Sequence, residues 1–127
     1  MTKVKEKKIL VVDDEASVRE IYSREFTRAG FNTVAAADGK EGLLKAGEET
    51  PDLILLDIML PKMSGMDVLK ALKANLLTKN IPVLLLTNLG EETIIKEGFK
   101  LGADGYLLKV SYTPAQVVKE CHKFLGG

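Results

Sequence analysis

The chain has no tryptophan and a single cysteine, Cys121, among its 127 residues. One cysteine excludes an internal disulfide. Its neighbours Val117, Val118, Phe124 and Leu125 predict a partly buried thiol on a helix. No apolar run approaches the roughly 18 residues of a membrane span. No secretory signal precedes the first apolar run, because Lys3 to Lys8 is polar and Ile9 to Val12 is short. The expected location is the cytoplasm. Excess charge of one sign is also missing: 18 basic and 18 acidic side chains give a formal net charge of zero. A nucleic-acid binder usually carries a basic excess, so direct nucleic-acid binding is not expected. The local basic run Lys3, Lys5, Lys7 and Lys8 reads as a solvated, frayed terminus. Disorder is excluded by 46% apolar and 28% charged residues, an ordinary globular composition. The length suits one domain over 1–127, with its core from about Lys7 to Leu125.

Short apolar runs alternate with amphipathic stretches. The runs are Lys8 to Val12, Thr33 to Ala36, Leu53 to Leu56, Val83 to Leu86 and Gly105 to Leu108. Leu53-Ile54-Leu55-Leu56 and Val83-Leu84-Leu85-Leu86 do not alternate polar with apolar, which predicts strands covered on both faces of a parallel sheet. Between them, Val18, Ile21, Tyr22, Glu25 and Phe26 share one face of a first helix. A second helix is predicted at about Lys40 to Glu48. A third starts at Ser64, where Ser64-Gly65-Met66-Asp67 resembles a capping box and Met66, Leu69, Leu72 and Leu76 recur at helical spacing. A fourth lies between Glu91 and Leu101, weakened by Gly98. The fifth has Thr113 as N-cap, Pro114 at the first position and Gln116 closing the box, with Val117, Val118, Cys121 and Phe124 facing inward. Five such units predict an α/β (βα)5 fold, a doubly wound five-stranded parallel sheet with helices on both faces.

In open α/β sheets, ligands bind outside the carboxyl ends of the strands. Strand one ends in Asp13-Asp14, strand three in Asp57, strand four in Thr87 and strand five in Lys109. Converging carboxylates are costly unless paired or bound to a cation. Oxygen-only ligation suits a hard cation, and Mg²⁺ fits a site that expects phosphate. Lys109 can neutralise one carboxylate or contact a phosphoryl oxygen, and Thr87 supplies a hydroxyl donor. Together they would stabilise a transferring phosphoryl group, with Asp57 as nucleophile. Taken singly, each residue has a plainer explanation. Asp13-Asp14 could cap the first helix, and Asp57 could end a strand in a turn. The joint placement at four strand ends is what points to a site.

The segments Ile9-Leu10-Val11-Val12-Asp13-Asp14-Glu15, Asp52-Leu53-Ile54-Leu55-Leu56-Asp57, Leu60-Pro61-Lys62-Met63-Ser64-Gly65, Pro82-Val83-Leu84-Leu85-Leu86-Thr87 and Gly102-Ala103-Asp104-Gly105-Tyr106-Leu107-Leu108-Lys109 resemble the receiver domain of bacterial response regulators, including the single-domain chemotaxis regulators. The resemblance runs almost end to end. It implies a flavodoxin-like strand order 2-1-3-4-5 and a two-component or phosphorelay role. It implies Asp57 as phosphoacceptor, and Mg²⁺ held by Asp14 and Asp57 directly, by Asp13 through water and by the backbone carbonyl of Met59. It implies Thr87 and Tyr106 as switch residues beneath a partner-binding surface around the fourth helix, fifth strand and fifth helix. The implied donor is a sensor histidine kinase, a phosphotransfer protein or a small acyl phosphate. The implied recipient is a downstream protein or output domain, reached as a monomer or as a phosphorylation-dependent dimer. Such a domain is not a conventional enzyme; it catalyses its own phosphorylation and dephosphorylation.

Two positions depart from the family pattern. Val110 follows Lys109 where proline is usual, and Asn88 follows Thr87 where a small residue is usual. The first predicts a different loop around Lys109; the second predicts narrower access to Asp57. Three other readings are disfavoured, one of them a degenerate receiver serving only as a protein-interaction module, which rests on Val110 and Asn88 although all five key residues are present. A haloacid-dehalogenase-type phosphohydrolase would need an acid two residues after Asp57, where Met59 stands. A flavodoxin-like cofactor binder would want a phosphate-cradling loop, and Asp13-Asp14-Glu15 would repel phosphate there.

Overall fold

A computed structural model describes residues 6–125. The element order is β1 (Lys8–Val12), α1 (Ala16–Arg28), β2 (Asn32–Ala36), α2 (Gly39–Glu49), β3 (Leu53–Leu56), α3 (Gly65–Ala74), β4 (Val83–Thr87), α4 (Glu92–Lys100), β5 (Gly105–Leu108) and α5 (Pro114–Phe124). The five strands are parallel, in the order β2-β1-β3-β4-β5. This is the expected doubly wound sheet, with every strand and helix starting within about two residues of its predicted place.

Both faces of the sheet are covered, which is why its central strands are apolar throughout. Side chains alternate across a strand. Ile9, Val11, Leu53 and Leu55 therefore pack with Tyr22 and Phe26 of α1 and with Val117 and Cys121 of α5. Leu10, Val12, Ile54 and Leu56 pack on the opposite face with Val68, Leu69 and Leu72 of α3. At roughly 25 cal/mol per Å² of buried apolar surface, these two clusters are the main force holding the sandwich together.

Several local expectations are corrected. Ile21 is 40% exposed and Leu76 80% exposed. The first sits at the edge of the α1 stripe. The second lies beyond α3, which stops at Ala74. Phe124 is 42% exposed at the last position of α5, although its ring still covers Gly105. Cys121 is wholly rather than partly buried. Ser64 caps α3 with one bond from the Met66 N–H, whereas Thr113 and Gln116 form the full reciprocal box. Lys8 is not part of a frayed end, because it opens β1 and its ammonium pairs with Glu49 at 2.9 Å. Lys3 and Lys5 lie outside the described residues. Gly98, which weakened the prediction of α4, has a packing reason. A Cβ there would come within 2.7 Å of Leu85 Cδ1, so glycine lets α4 lie close on β4.

Candidate functional site

Register brings the acids together. Val12 pairs with Leu56 across β1 and β3, so the next residues, Asp13 and Asp57, leave the sheet side by side. The Asp57 N–H donates to the Val12 carbonyl at 3.0 Å, and the Asp13 N–H to the Ala36 carbonyl at 3.1 Å. On the other flank Thr87 pairs with Leu108, which places Lys109 one residue past the ladder.

Carboxylate oxygens of Asp13, Asp14 and Asp57 lie within 4.8 Å of one another. Asp13 and Asp57 are buried, at 2% and 5% exposure, and Asp14 is open to solvent. The Lys109 ammonium donates to Asp57 Oδ2 and lies equally close to Asp13 Oδ2, at 2.8 Å each. Met59 N–H donates to Asp57 Oδ1 at 3.1 Å. A cavity of about 350 Å³ opens here, lined by Asp14, Glu15, Asp57, Met59, Asn88 and Lys109.

The cluster's electrostatics follow from burial against pairing. Burial pushes the Asp13 carboxyl above its ordinary value, and the bonds from Lys109 and the Glu15 amide only partly offset this. Burial pulls the Lys109 ammonium down, but hydrogen bonds to Asp13 and Asp57 outweigh it and the net movement is upward. Lys109 therefore carries its charge throughout the neutral range. One ammonium against three carboxylates still leaves an excess of negative charge, in a donor set of hard oxygens. That set fits a divalent cation such as Mg²⁺.

The plainer explanation for Asp13 and Asp14 does not hold. The N-cap of α1 is Glu15, and no side chain bonds to the helix N-terminus there. Asp13 Oδ1 instead accepts the Glu15 N–H at 2.9 Å, bracing its own turn.

Among the described residues, Thr87 and Tyr106 hydrogen-bond to Leu89 and not to the carboxylates. Thr87 is fully buried at the end of β4, and its Oγ1 accepts the Leu89 N–H at 3.4 Å. The Tyr106 hydroxyl donates to the Leu89 carbonyl. Both predicted switch residues thus hold the loop after β4. Burial, with the Glu91 and Asp57 charges behind it, raises the Tyr106 phenol above its ordinary value. Val110 lies in a 3-10 turn over Lys109–Ser111, and Lys109 reaches both carboxylates with valine in that place.

Gly65 packs against the backbone that carries Asp57. A Cβ there would overlap the Asp57 carbonyl oxygen and come within 2.6 Å of Ile58 Cα. Only glycine lets the start of α3 approach the backbone carrying Asp57. Arg19, unnoticed in the sequence, donates from Nη1 to the Asp13 carbonyl at 2.8 Å. Its one advance signal was its place one turn into α1, close enough to reach back to the turn after β1.

Residues 9–121 match the family model described as the response regulator receiver domain. The chain belongs to this family. Among receiver-containing relatives, it is 45% identical over 111 residues to the alkaline phosphatase synthesis transcriptional regulatory protein PhoP of Bacillus subtilis, covering 87% of this chain and 45% of that protein. The chain spans about half the length of the curated relatives it matches. Among solved receiver structures, chemotaxis protein CheY4 of Vibrio cholerae superimposes with a TM-score of 0.89 at 34% identity, covering 95% of this chain and all of that one. The CheX-CheY-BeF3-Mg²⁺ complex of Borrelia burgdorferi matches with a TM-score of 0.84 at 30% identity, covering 92% of this chain and 87% of that one.

Proposed function

We propose that this receiver domain takes a phosphoryl group on Asp57 from a phosphohistidine, and that the loop after β4 passes the change to a partner-binding face formed by α4, β5 and α5. The convergence of Asp13, Asp14 and Asp57 within 4.8 Å around the Lys109 ammonium carries this reading. The Borrelia neighbour is named with both BeF3 and Mg²⁺, which supports extending both chemistries to this pocket.

In the transfer, an Asp57 carboxylate oxygen attacks phosphorus. The phosphorus–nitrogen bond to the donor imidazole breaks, and the imidazole leaves with its electron pair and takes a proton. Lys109 lies close enough to turn from Asp57 Oδ2 to a phosphoryl oxygen, so its charge stays paired before and after. The Met59 N–H holds Asp57 Oδ1 and orients the carboxylate. Asp14 and Asp57 would hold Mg²⁺ directly, Asp13 through water and Met59 through its carbonyl. When bound, Mg²⁺ supplies positive charge against the oxygens of the transferring group. Thr87 and Tyr106 share Leu89 as a contact. Drawing the Thr87 hydroxyl toward a phosphoryl oxygen would release the Leu89 N–H, loosen the loop and free Tyr106 to turn inward.

The donor is a sensor histidine kinase or phosphotransfer protein in the cytoplasm, or a small acyl phosphate. The recipient is a downstream protein or an attached output domain, engaged as a monomer or as a phosphorylation-dependent dimer. No direct contact of this chain with nucleic acid is part of the reading. Its activity is regulatory, limited to gaining and losing its own phosphoryl group. Acetyl phosphate with Mg²⁺ should add one phosphoryl mass to the intact protein, and Asp57→Asn should add none. Equal labelling of the variant would overturn the assignment.

A further inference from the structure

We infer that Arg19 is a positioning residue for the cation site, acting on Asp14 through the backbone of Asp13. The inference rests on Asp14 being a cation ligand, as proposed above. The Asp14 carboxylate is exposed, and among the described residues no hydrogen bond holds it in place. Its direction is therefore set by the peptide that precedes it. That peptide lies in the turn after β1, where the Asp13 N–H donates to the Ala36 carbonyl at 3.1 Å and Asp13 Oδ2 meets the Lys109 ammonium at 2.8 Å. Asp13 Oδ1 accepts the Glu15 N–H at 2.9 Å, which fixes the Asp13 side chain. The Asp13 carbonyl, one half of the Asp13–Asp14 peptide plane, is held by Arg19 Nη1 at 2.8 Å.

Arg19 can do this because its own backbone is anchored. Its N–H donates to the Glu15 carbonyl at 3.1 Å, in the first turn of α1. The guanidinium thus ties a helix to the peptide that leads into Asp14, whose rotation would swing Asp14 away from Asp57. A charge-assisted bond to a carbonyl is also stronger than a neutral one.

The alternative role for a guanidinium bonded to the Asp13 carbonyl is purely electrostatic, and it predicts the opposite sign. A nearby positive charge repels a divalent cation, so removing it would tighten binding. Positioning predicts that removing it weakens binding, because Asp14 then samples directions that miss the cation.

The test is Mg²⁺ titration by calorimetry, without phosphodonor, on wild type, Arg19→Ala, Arg19→Lys and Asp14→Ala. Thermal melts and the amide NMR shifts of Asp14 and Glu15 accompany it. Arg19→Ala should bind Mg²⁺ several-fold more weakly while remaining folded, with shifts confined to the turn after β1. Arg19→Lys should fall between Arg19→Ala and wild type, because an ammonium restores the donor without the fixed fork. Binding by Arg19→Ala as tight as wild type or tighter, or binding by Arg19→Lys no better than by Arg19→Ala, overturns the inference. If Arg19→Ala does not fold, weaker binding by Arg19→Lys than by wild type sustains it and equal binding overturns it. Wild-type affinity in Asp14→Ala would instead overturn the underlying ligand assignment, and this inference with it.

Discussion

Cys121 shows how one buried group can set a pH limit. Burial in the α1–α5 core, with the Glu120 charge adding to it, pushes its thiol from 9.0 up to about 12. The folded state thus keeps a proton that the unfolded chain loses. A raised folded-state value contributes stability that is fully present below pH 9.0 and lost as pH climbs toward about 12. Tyr22, raised by burial in the same core, acts in the same direction. Urea melts of wild type should lose up to about 1.4 kcal/mol per pH unit from this thiol above its ordinary value. Cys121→Ala should show a shallower alkaline slope, even if its stability at neutral pH is lower. Parallel slopes would show that the thiol does not titrate on unfolding. Asp57 shows what one residue looks like before folding: an acid after four apolar residues, equally readable as a turn. Its chemistry came into view through the company of Asp13, Asp14 and Lys109.

Helix α2 shows how an element ends. Its C-cap, Thr50, sits in the left-handed region at φ 42° and ψ 61°. A β-branched side chain is unfavourable there, at roughly 1–2 kcal/mol, and glycine is the usual residue at such a stop. Thr50 is exposed, so little packing is lost on replacing it. Thr50→Gly should raise stability by about 0.5–1 kcal/mol after allowing for glycine's greater backbone entropy in the unfolded chain. An unchanged or lower urea midpoint would count against this strain. The element-scale patterns that misled are informative in the same way. Leu76 continued the helical spacing of α3, but spacing does not reveal where a helix stops. Ile21 and Phe124 followed the apolar period, but their exposure depends on how far neighbouring elements reach over them.

At the scale of the whole molecule, three carboxylates and one ammonium at one sheet edge leave about two uncompensated negative charges in the folded state. The unfolded chain spreads those charges apart. A divalent cation that binds only the assembled site should therefore stabilise the fold, by about 2.7 kcal/mol at a hundred times its dissociation constant. The wild-type melting temperature should rise between EDTA and excess Mg²⁺, and that of Asp14→Ala should rise much less. An equal rise in both would place the cation elsewhere. The strands, the order of elements and the strand-end residues were all legible in the sequence, because apolar period and turn chemistry are local and the carboxyl ends of parallel strands share one edge. The sequence also determined that Asp13, Asp14, Asp57 and Lys109 could meet. Tertiary structure alone decided how they meet. It placed Lys109 2.8 Å from both Asp13 and Asp57, left Asp14 open to solvent, and tied Thr87 and Tyr106 to Leu89 rather than to the acids. It brought Arg19 back onto the Asp13 carbonyl. Those distances depend on strand register and on side chains reaching across elements, and no local pattern in the chain encodes them.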